Sequence, residues 1–272
     1  MSGSEPLGLI AGTGRLPVHL AAAVSEERPL VVISVAPEPQ PELSRYASHF
    51  QHLSPGRLRA IIRTLQRWGA RELVFLGGVD KRVLFRPFAL DWLALRALRR
   101  LRTRGDRAIF AVIAEVFAEH GFLVCDQRAF LQDLLVPEGA LTPGRIRRRV
   151  REDAQEALRL AREIARLDIG QSVVVKDGVP LAVEAMDGTD ATVRRGAALG
   201  GPGIVLGKAA HPEHDFRFDV PTVGPDTVRL LVEVKAAALA LEAGRTFLLD
   251  RQEALRIAEA GGLAVLALRP EP

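Results

Sequence analysis

The residues best suited to chemistry gather in the second half of the chain. Glu184, Asp187, Thr189 and Asp190 fall within Val183-Glu-Ala-Met-Asp-Gly-Thr-Asp190, just after a strand-like run, and Lys208 follows another short run at 203–206. Asp168-Ile-Gly-Gln171 precedes them, and His211-Pro-Glu-His-Asp-Phe-Arg-Phe-Asp-Val-Pro-Thr-Val-Gly224 follows. Carboxylates at strand ends, with one lysine and glycines between them, suit Mg²⁺ and phosphate together. Mg²⁺ favours one or two carboxylates plus substrate oxygens over a complete protein cage, and such an ion polarises a pyrophosphate and helps activate water. On this basis Glu184 and Asp190 are candidate metal ligands, Asp190 and Lys208 candidate catalytic groups, and Gln171 and Thr189 candidate substrate contacts; Mn²⁺ is an expected substitute. The competing interpretation makes each acid a turn carboxylate or a helix cap, and Asp187-Gly-Thr-Asp190 has the composition of a turn.

A second candidate lies near the start. Gly12-Thr13-Gly14 follows a short apolar run and precedes a helical pattern, a position where backbone N–H groups can cradle phosphate. A dinucleotide fingerprint needs a third glycine at position 17, which is Pro17, and no lone acid ends the second strand to hold a ribose. A nucleotide or phosphate contact at Gly12, Thr13 and Gly14, joined by Gly78 after the third strand, therefore competes with a bare tight turn. His211 and His214 have H-x-x-H spacing, but Pro212 breaks helical presentation and no third His or Cys lies nearby, which argues against zinc. His214 fits better as a contact to a substrate phosphate. No G-x-S-x-G or Walker A pattern is present.

These residues need elements to hold them. Apolar runs at 7–11, 30–35, 72–76 and 122–125 alternate with helical spacing at 58–68, 90–101 and 106–120, which predicts a parallel α/β sheet in the first half. Ligands of such sheets sit at the carboxyl ends of strands. Val136 to Gly144, with two prolines and two glycines, reads as a linker, dividing the chain into domains at 1–136 and 137–272. A long helix is expected over 146–167, a hairpin turning at Asp177-Gly178, a strand at 203–206, a helix over 226–242, and late strands at 247–249 and 263–268 around a helix at 252–260. The second domain is thus mixed α/β.

Composition narrows the class. The 272 residues are 48% hydrophobic, enough for one or two cores, and net charge is +4, which favours anionic partners. Cys125 is the one cysteine, so no internal disulfide forms. The N-terminus lacks a signal-peptide pattern, and no stretch reaches the roughly 18 apolar residues of a membrane span. A soluble, cytoplasmic protein is expected. In the segment 91–104, Trp92, Leu95 and Leu98 share a face while Arg96, Arg99, Arg100 and Arg102 crowd the others. Such a helix either packs on the core or lies on an anionic membrane. Arg145, Arg147, Arg148, Arg149 and Arg151 crowd a helix start, where positive charge is unfavourable, so they must pair with Glu152, Asp153 and Glu156 or meet an anion. Aromatic interleaving is lacking in both, so nucleic acid is not an expected partner.

Five ordered motifs together carry a resemblance: Leu7-Gly-Leu-Ile-Ala-Gly-Thr-Gly-Arg-Leu-Pro17, Gly105-Asp106, Leu167-Asp-Ile-Gly-Gln171, Val183 to Asp190, and Arg217-Phe-Asp-Val-Pro-Thr-Val-Gly224. They resemble the UDP-2,3-diacylglucosamine pyrophosphatase family of lipid A biosynthesis, the branch unrelated to calcineurin-like phosphoesterases. The resemblance implies Mg²⁺-dependent hydrolysis to UMP and 2,3-diacylglucosamine 1-phosphate. It further implies a two-domain α/β protein, an N-terminal Rossmann-like parallel sheet and a C-terminal mixed domain, with substrate held between them. Asp219 matches the aspartate whose loss stalls turnover in that family, which makes it a candidate catalytic group and metal ligand; Asp106 and Thr222 become candidate substrate contacts. Pro221 biases Val220 away from helix, so Asp219 is expected on extended chain, pointing opposite to Phe218 and Val220. Where the family often has a second aspartate after Gly105-Asp106, this chain has Arg107, and an insertion lies between Val79 and Pro87. The acylated substrate also implies peripheral contact with the inner membrane, and a homo-oligomer is compatible with the sequence. The competing functions are a hydrolase or transferase on another nucleotide-sugar and a non-catalytic nucleotide-binding module.

Overall fold

The structure is a computed structural model that describes residues 5–79, 90–101 and 106–269, with only the backbone of Asp106 and Arg107. The chain divides into two compact units, Met1–Leu131 with Asp215–Asp219, and Gln132–His214 with Val220–Pro272. Among the described residues no helix is long and apolar enough to cross a membrane.

The first unit runs β1 (Leu7–Ala11), α1 (Leu16–Ser25), β2 (Leu30–Ser34), α2 (Leu43–Tyr46), β3 (His49–His52), α3 (Leu58–Arg67), β4 (Glu72–Leu76), α4 (Trp92–Leu98), α5 (Asp106–Glu119) and β5 (Leu123–Val124). The sheet is parallel throughout, in the order β3-β2-β1-β4-β5. Every residue of β1 and β2 is buried, as strands covered on both faces require. α3 buries Leu58, Ile61, Ile62 and Leu65, the i, i+3, i+4, i+7 stripe of an amphipathic helix. The expected parallel α/β fold is present. β3 was not expected, because His49-Phe-Gln-His52 is an edge strand with no apolar run. In α4 the buried face is Leu93, Ala94 and Ala97, so Trp92 (53% exposed) and Leu95 (40%) face solvent beside Arg96 and Arg99.

The second unit runs β6 (Gly139–Ala140), α6 (Arg148–Arg166), β7 (Ser172–Lys176), β8 (Val179–Val183), α7 (Gly188–Gly200), β9 (Val205–Lys208), β10 (Thr222–Val223), α8 (Pro225–Glu233), β11 (Ala238–Glu242), β12 (Phe247–Leu248), α9 (Arg251–Ala260) and β13 (Ala264–Leu268). Its main sheet is mixed, in the order β6-β13-β11-β9-β7-β8, with β13, β11 and β9 parallel and β6, β7 and β8 antiparallel to their neighbours. The expected hairpin turns at Asp177 (φ 52°) and Gly178 (φ 75°). Buried Asp153 of α6 accepts from both turn N–H groups, at 2.9 and 2.7 Å, fixing helix to hairpin.

Three expectations give way here. The helix expected over 226–242 stops at Glu233, and Lys235 turns left-handed (φ 55°) before Ala238–Glu242 enters the sheet as a wholly buried central strand. Ala and Leu favour helix intrinsically, but tertiary burial outweighs that preference. Asp187-Gly-Thr-Asp190 is the start of α7 rather than a simple turn. The stretch expected as a linker carries β6, and Leu141 N donates to Val265 O at 2.8 Å.

Candidate functional site

In the first unit the strand order reverses between β1 and β4, the switch point at which open α/β sheets take ligands beyond the strand ends. Gly12, Thr13 and Gly14 leave β1 there, and Gly77 and Gly78 leave β4. The two turns clasp one another: Thr13 N donates to Gly78 O at 2.8 Å and Gly78 N to Thr13 O at 3.0 Å, with Thr13 Oγ1 adding a bond to Gly78 O at 3.2 Å. A Cβ on Gly12 would lie 2.3 Å from Gly78 O, so this glycine is required by backbone contact. Gly12 N donates to Leu76 O at 2.7 Å. Three of the N–H groups expected at this contact, those of Gly12, Thr13 and Gly78, are therefore engaged by backbone. What faces outward is Gly14 (φ 102°), where a Cβ would meet nothing within 4 Å, and the amino end of α1. Arg15 at its N-cap makes no side-chain capping bond and no acid stands in the first turn. That end carries the partial positive charge of the helix, and is the part of the turn suited to an anion.

In the second unit a buried polar network forms at the end of β9. Pairing sets Ser172, the first residue of β7, opposite Lys208, the last of β9. Lys208 is 5% exposed; its Nζ donates to Thr189 Oγ1 at 2.8 Å and Ser172 Oγ at 3.2 Å, and lies 3.7 Å from Glu184 Oε2. Thr189 in the first turn of α7 donates to Glu184 Oε1 at 2.8 Å, and Gln171 N donates to Glu184 Oε2 at 3.1 Å. Burial raises the Glu184 carboxyl, but the Lys208 ammonium and bonds from Ser172, Thr189 and Gln171 N more than offset it and hold the group below the usual glutamate range. A Cβ on Gly170 would lie 2.3 Å from Glu184 O, so this approach, too, requires glycine.

Sequence-predicted residues are thus partly united. Gln171, Glu184, Thr189 and Lys208 share one network. Asp190 follows Thr189 on the exposed side of α7, where its Oδ1 accepts from Thr227 Oγ1 at 2.9 Å. Thr222 turns its hydroxyl to Val220 O at 2.8 Å. His214 N closes a turn on His211 O at 3.0 Å. The side chain of Asp106 lies outside the described residues.

Asp219 belongs to the first unit, where the chain returns for Asp215–Asp219. Expected on extended chain, it instead follows a turn that Phe218 N closes on Asp215 O at 3.3 Å. The expected alternation holds nonetheless, with Phe218 and Val220 buried and Asp219 half-buried. The Phe218 ring stacks on Phe110 at 4.9 Å and meets Phe75 of β4 at 5.2 Å. Gln127, just past β5, donates its Nε2 to Phe75 O at 2.7 Å and its N to Phe216 O at 3.1 Å. The five-residue return is thereby tied to the carboxyl ends of β4 and β5, and Asp219 with it.

Profiles of two protein-family domains match the chain in order, the LpxI N-terminal domain over residues 6–134 and the LpxI C-terminal domain over 137–266. The chain belongs to the LpxI family. It is 34% identical over 277 residues to the UDP-2,3-diacylglucosamine pyrophosphatase LpxI of Caulobacter vibrioides, an alignment covering 97% of this chain and 98% of that protein.

For this LpxI-family chain the fit of a magnesium ion differs between the candidate ligands. Glu184 does not fit: both its oxygens accept hydrogen bonds and the Lys208 ammonium neutralises it, so a divalent cation there would face a buried like charge. Asp190 offers an exposed, hard oxygen donor of the kind Mg²⁺ takes. Among the described residues no three His, Cys, Asp or Glu side chains form a metal-binding group. Lys208, a candidate catalytic group by type, has its ammonium directed at Thr189, Ser172 and Glu184. Ser172 and Gly170 escape the sequence, because only strand register places them against Lys208 and Glu184.

Proposed function

We propose that this chain hydrolyses the pyrophosphate of UDP-2,3-diacylglucosamine, releasing UMP and 2,3-diacylglucosamine 1-phosphate in lipid A biosynthesis. The carrying observation is the ordered match of both LpxI domains, together with a relative of that printed activity aligned over nearly the whole of both chains. In this reaction water adds across the P–O–P linkage; one phosphorus takes the water oxygen and the other phosphate keeps the bridging oxygen. The amino end of α1 and Gly14 suit the nucleotide's phosphates. Thr189 is held by Lys208 and Glu184 so that the first turn of α7 presents its N–H groups and Asp190 in a set direction. Asp190 and Asp219 are the carboxylates we assign to the ion and the attacking water. Mg²⁺, when bound, would neutralise charge on the pyrophosphate oxygens and acidify water.

The substrate's acyl chains partition to membranes. The exposed Trp92 and Leu95 beside Arg96 and Arg99 on α4 suit peripheral contact with an anionic lipid surface. The deciding experiment incubates purified protein with UDP-2,3-diacylglucosamine and Mg²⁺ and follows UMP by mass spectrometry. UMP release from this substrate, well above release from UDP-N-acetylglucosamine, is the expected result. Equal rates on both would shift the activity to a broader nucleotide-sugar hydrolase, and tight UMP binding without turnover would make the chain a binding module.

A further inference from the structure

A cavity of about 440 Å³ opens in the second unit, lined by Arg162, Arg245 and Arg269, by Glu138 and Glu242, and by residues 136–137 and 243–244. Its volume falls in the range of small-ligand sites. It lies beyond the carboxyl ends of β11 and β13, whose last residues are Glu242 and Leu268, the edge at which strands of parallel sheets present ligand sites.

The charges are arranged around one buttress. Glu242 is 2% exposed, and its Oε2 accepts from Ala210 N at 2.7 Å. Its Oε1 lies 3.0 Å from Arg245 Nε and 3.9 Å from Arg162 Nε. Arg245 is further anchored by Nη2 to His211 O and to Pro212 O at 2.5 and 2.9 Å. One carboxylate thus holds two guanidiniums side by side. At the rim, Arg269 pairs with Glu138 at 2.8 Å, leaving three guanidiniums against two carboxylates. The Arg162 Nε is buried and has no hydrogen-bond acceptor among the described residues. A buried donor without an acceptor is unfavourable, and an anion entering the cavity would relieve it. Guanidinium groups recognise phosphate oxygens through paired N–H donors.

We propose that this cavity is a phosphomonoester site, sized for a sugar phosphate, with Arg162 and Arg269 as the residues that meet the phosphate and Glu242 as the buttress that aims Arg162. Charge and volume argue for the ligand class. That both products of the proposed hydrolysis are phosphomonoesters rests on the pyrophosphatase reading.

The test is calorimetric titration of the full chain, without Mg²⁺ or substrate, using glucosamine 1-phosphate, UMP, inorganic phosphate and, as the control, glucosamine. Glucosamine 1-phosphate or UMP should bind, glucosamine should not, and Arg162→Gln and Arg269→Gln should each weaken phosphomonoester binding about tenfold or more. Loss confined to the sugar phosphate assigns the cavity to the acyl-sugar product, and loss confined to UMP assigns it to the nucleotide. Arg162→Lys should recover part of the affinity. Arg269 is 79% exposed, so its variant tests the site without disturbing the core. Equal affinities in wild type and both variants, or binding of glucosamine as tight as that of its 1-phosphate, would overturn the proposal. UMP release from UDP-2,3-diacylglucosamine, assayed separately on the same wild-type preparation, keeps failure of the site distinct from failure of the pyrophosphatase reading.

Discussion

Replacing Lys208 with methionine tests whether the network under α7 is held by charge. Methionine keeps most of the side chain's volume and removes the ammonium that donates to Thr189 and Ser172 and faces Glu184. Breaking a buried pair by removing one partner costs about 3–5 kcal/mol. Glu184 keeps its bonds from Thr189 and Gln171 N, so the lower end, about 3 kcal/mol, is expected. At roughly 2–4 °C per kcal/mol for a domain of this order, Tm should fall by about 6–12 °C.

The pH dependence supplies an independent check. In the wild type the Glu184 carboxyl lies below the usual glutamate range, so its contribution is present above that range and is lost as pH falls through the lowered value. Without Lys208 burial dominates and raises the carboxyl, and the sign reverses: protonation relieves the variant as pH falls. The gap in Tm should therefore be widest near neutrality and narrow towards about pH 4. Lys208→Met with Glu184→Gln should recover much of the loss, since removing both charges of a buried pair is often close to neutral. Circular dichroism melts of wild type and the two variants between pH 4 and 8 measure this. A single variant that melts within about 2 °C of wild type, or a gap that does not change with pH, would refute the charge argument.

Chelation by EDTA should abolish UMP release and Mg²⁺ or Mn²⁺ restore it; full activity in excess chelator would remove the ion. Gly12→Ala, whose Cβ would meet Gly78 O, should lose about 1–3 kcal/mol of stability, whereas Gly14→Ala, open in space but at φ 102°, should lose about 1 kcal/mol and raise KM; thermal melts and steady-state kinetics separate them, and equal melting temperatures would contradict the packing. Asp219→Ala should lower kcat about a hundredfold or more with the fold intact, and a stable variant with wild-type kcat would end its catalytic assignment. Changing Trp92 to serine with Arg96 and Arg99 to glutamine should reduce sedimentation with anionic liposomes, as should added salt; wild type that never sediments with them would make α4 a structural element alone.

Where sequence patterns identify the fold correctly, one local signal and one tertiary role coincide. β1, β2 and β4 are short apolar runs because they are covered on both faces, and Asp177-Gly178 forms its hairpin because both residues tolerate positive φ. The misassigned elements are those in which local and tertiary preferences diverge. Ala238–Glu242 carries helix-favouring residues into a central strand, and His49–His52 joins a sheet edge with no apolar run to announce it. α7 was hidden by Asp187-Gly188, whose composition suits a turn equally well.

The site divides along the same line. The acids, the lysine and Thr189 are visible by type, and the structure joins Glu184, Lys208 and Thr189 in one network while Asp187 pairs with Arg195 and Asp190 with Thr227 outside it. Their division of labour is not visible, because it depends on which oxygen faces which donor. The β7–β9 register alone sets Ser172 opposite Lys208, and with it the ammonium becomes an internal partner of Glu184. A carboxylate already neutralised in this way is a poor cation ligand, while Asp190, one residue past Thr189, is exposed to solvent and is for that reason the acid of α7 assigned to substrate or ion in the proposed function. The buried pair Lys208–Glu184 grips Thr189 from both sides and so anchors the first turn of α7; in the function proposed above it acts by holding that turn, without touching substrate.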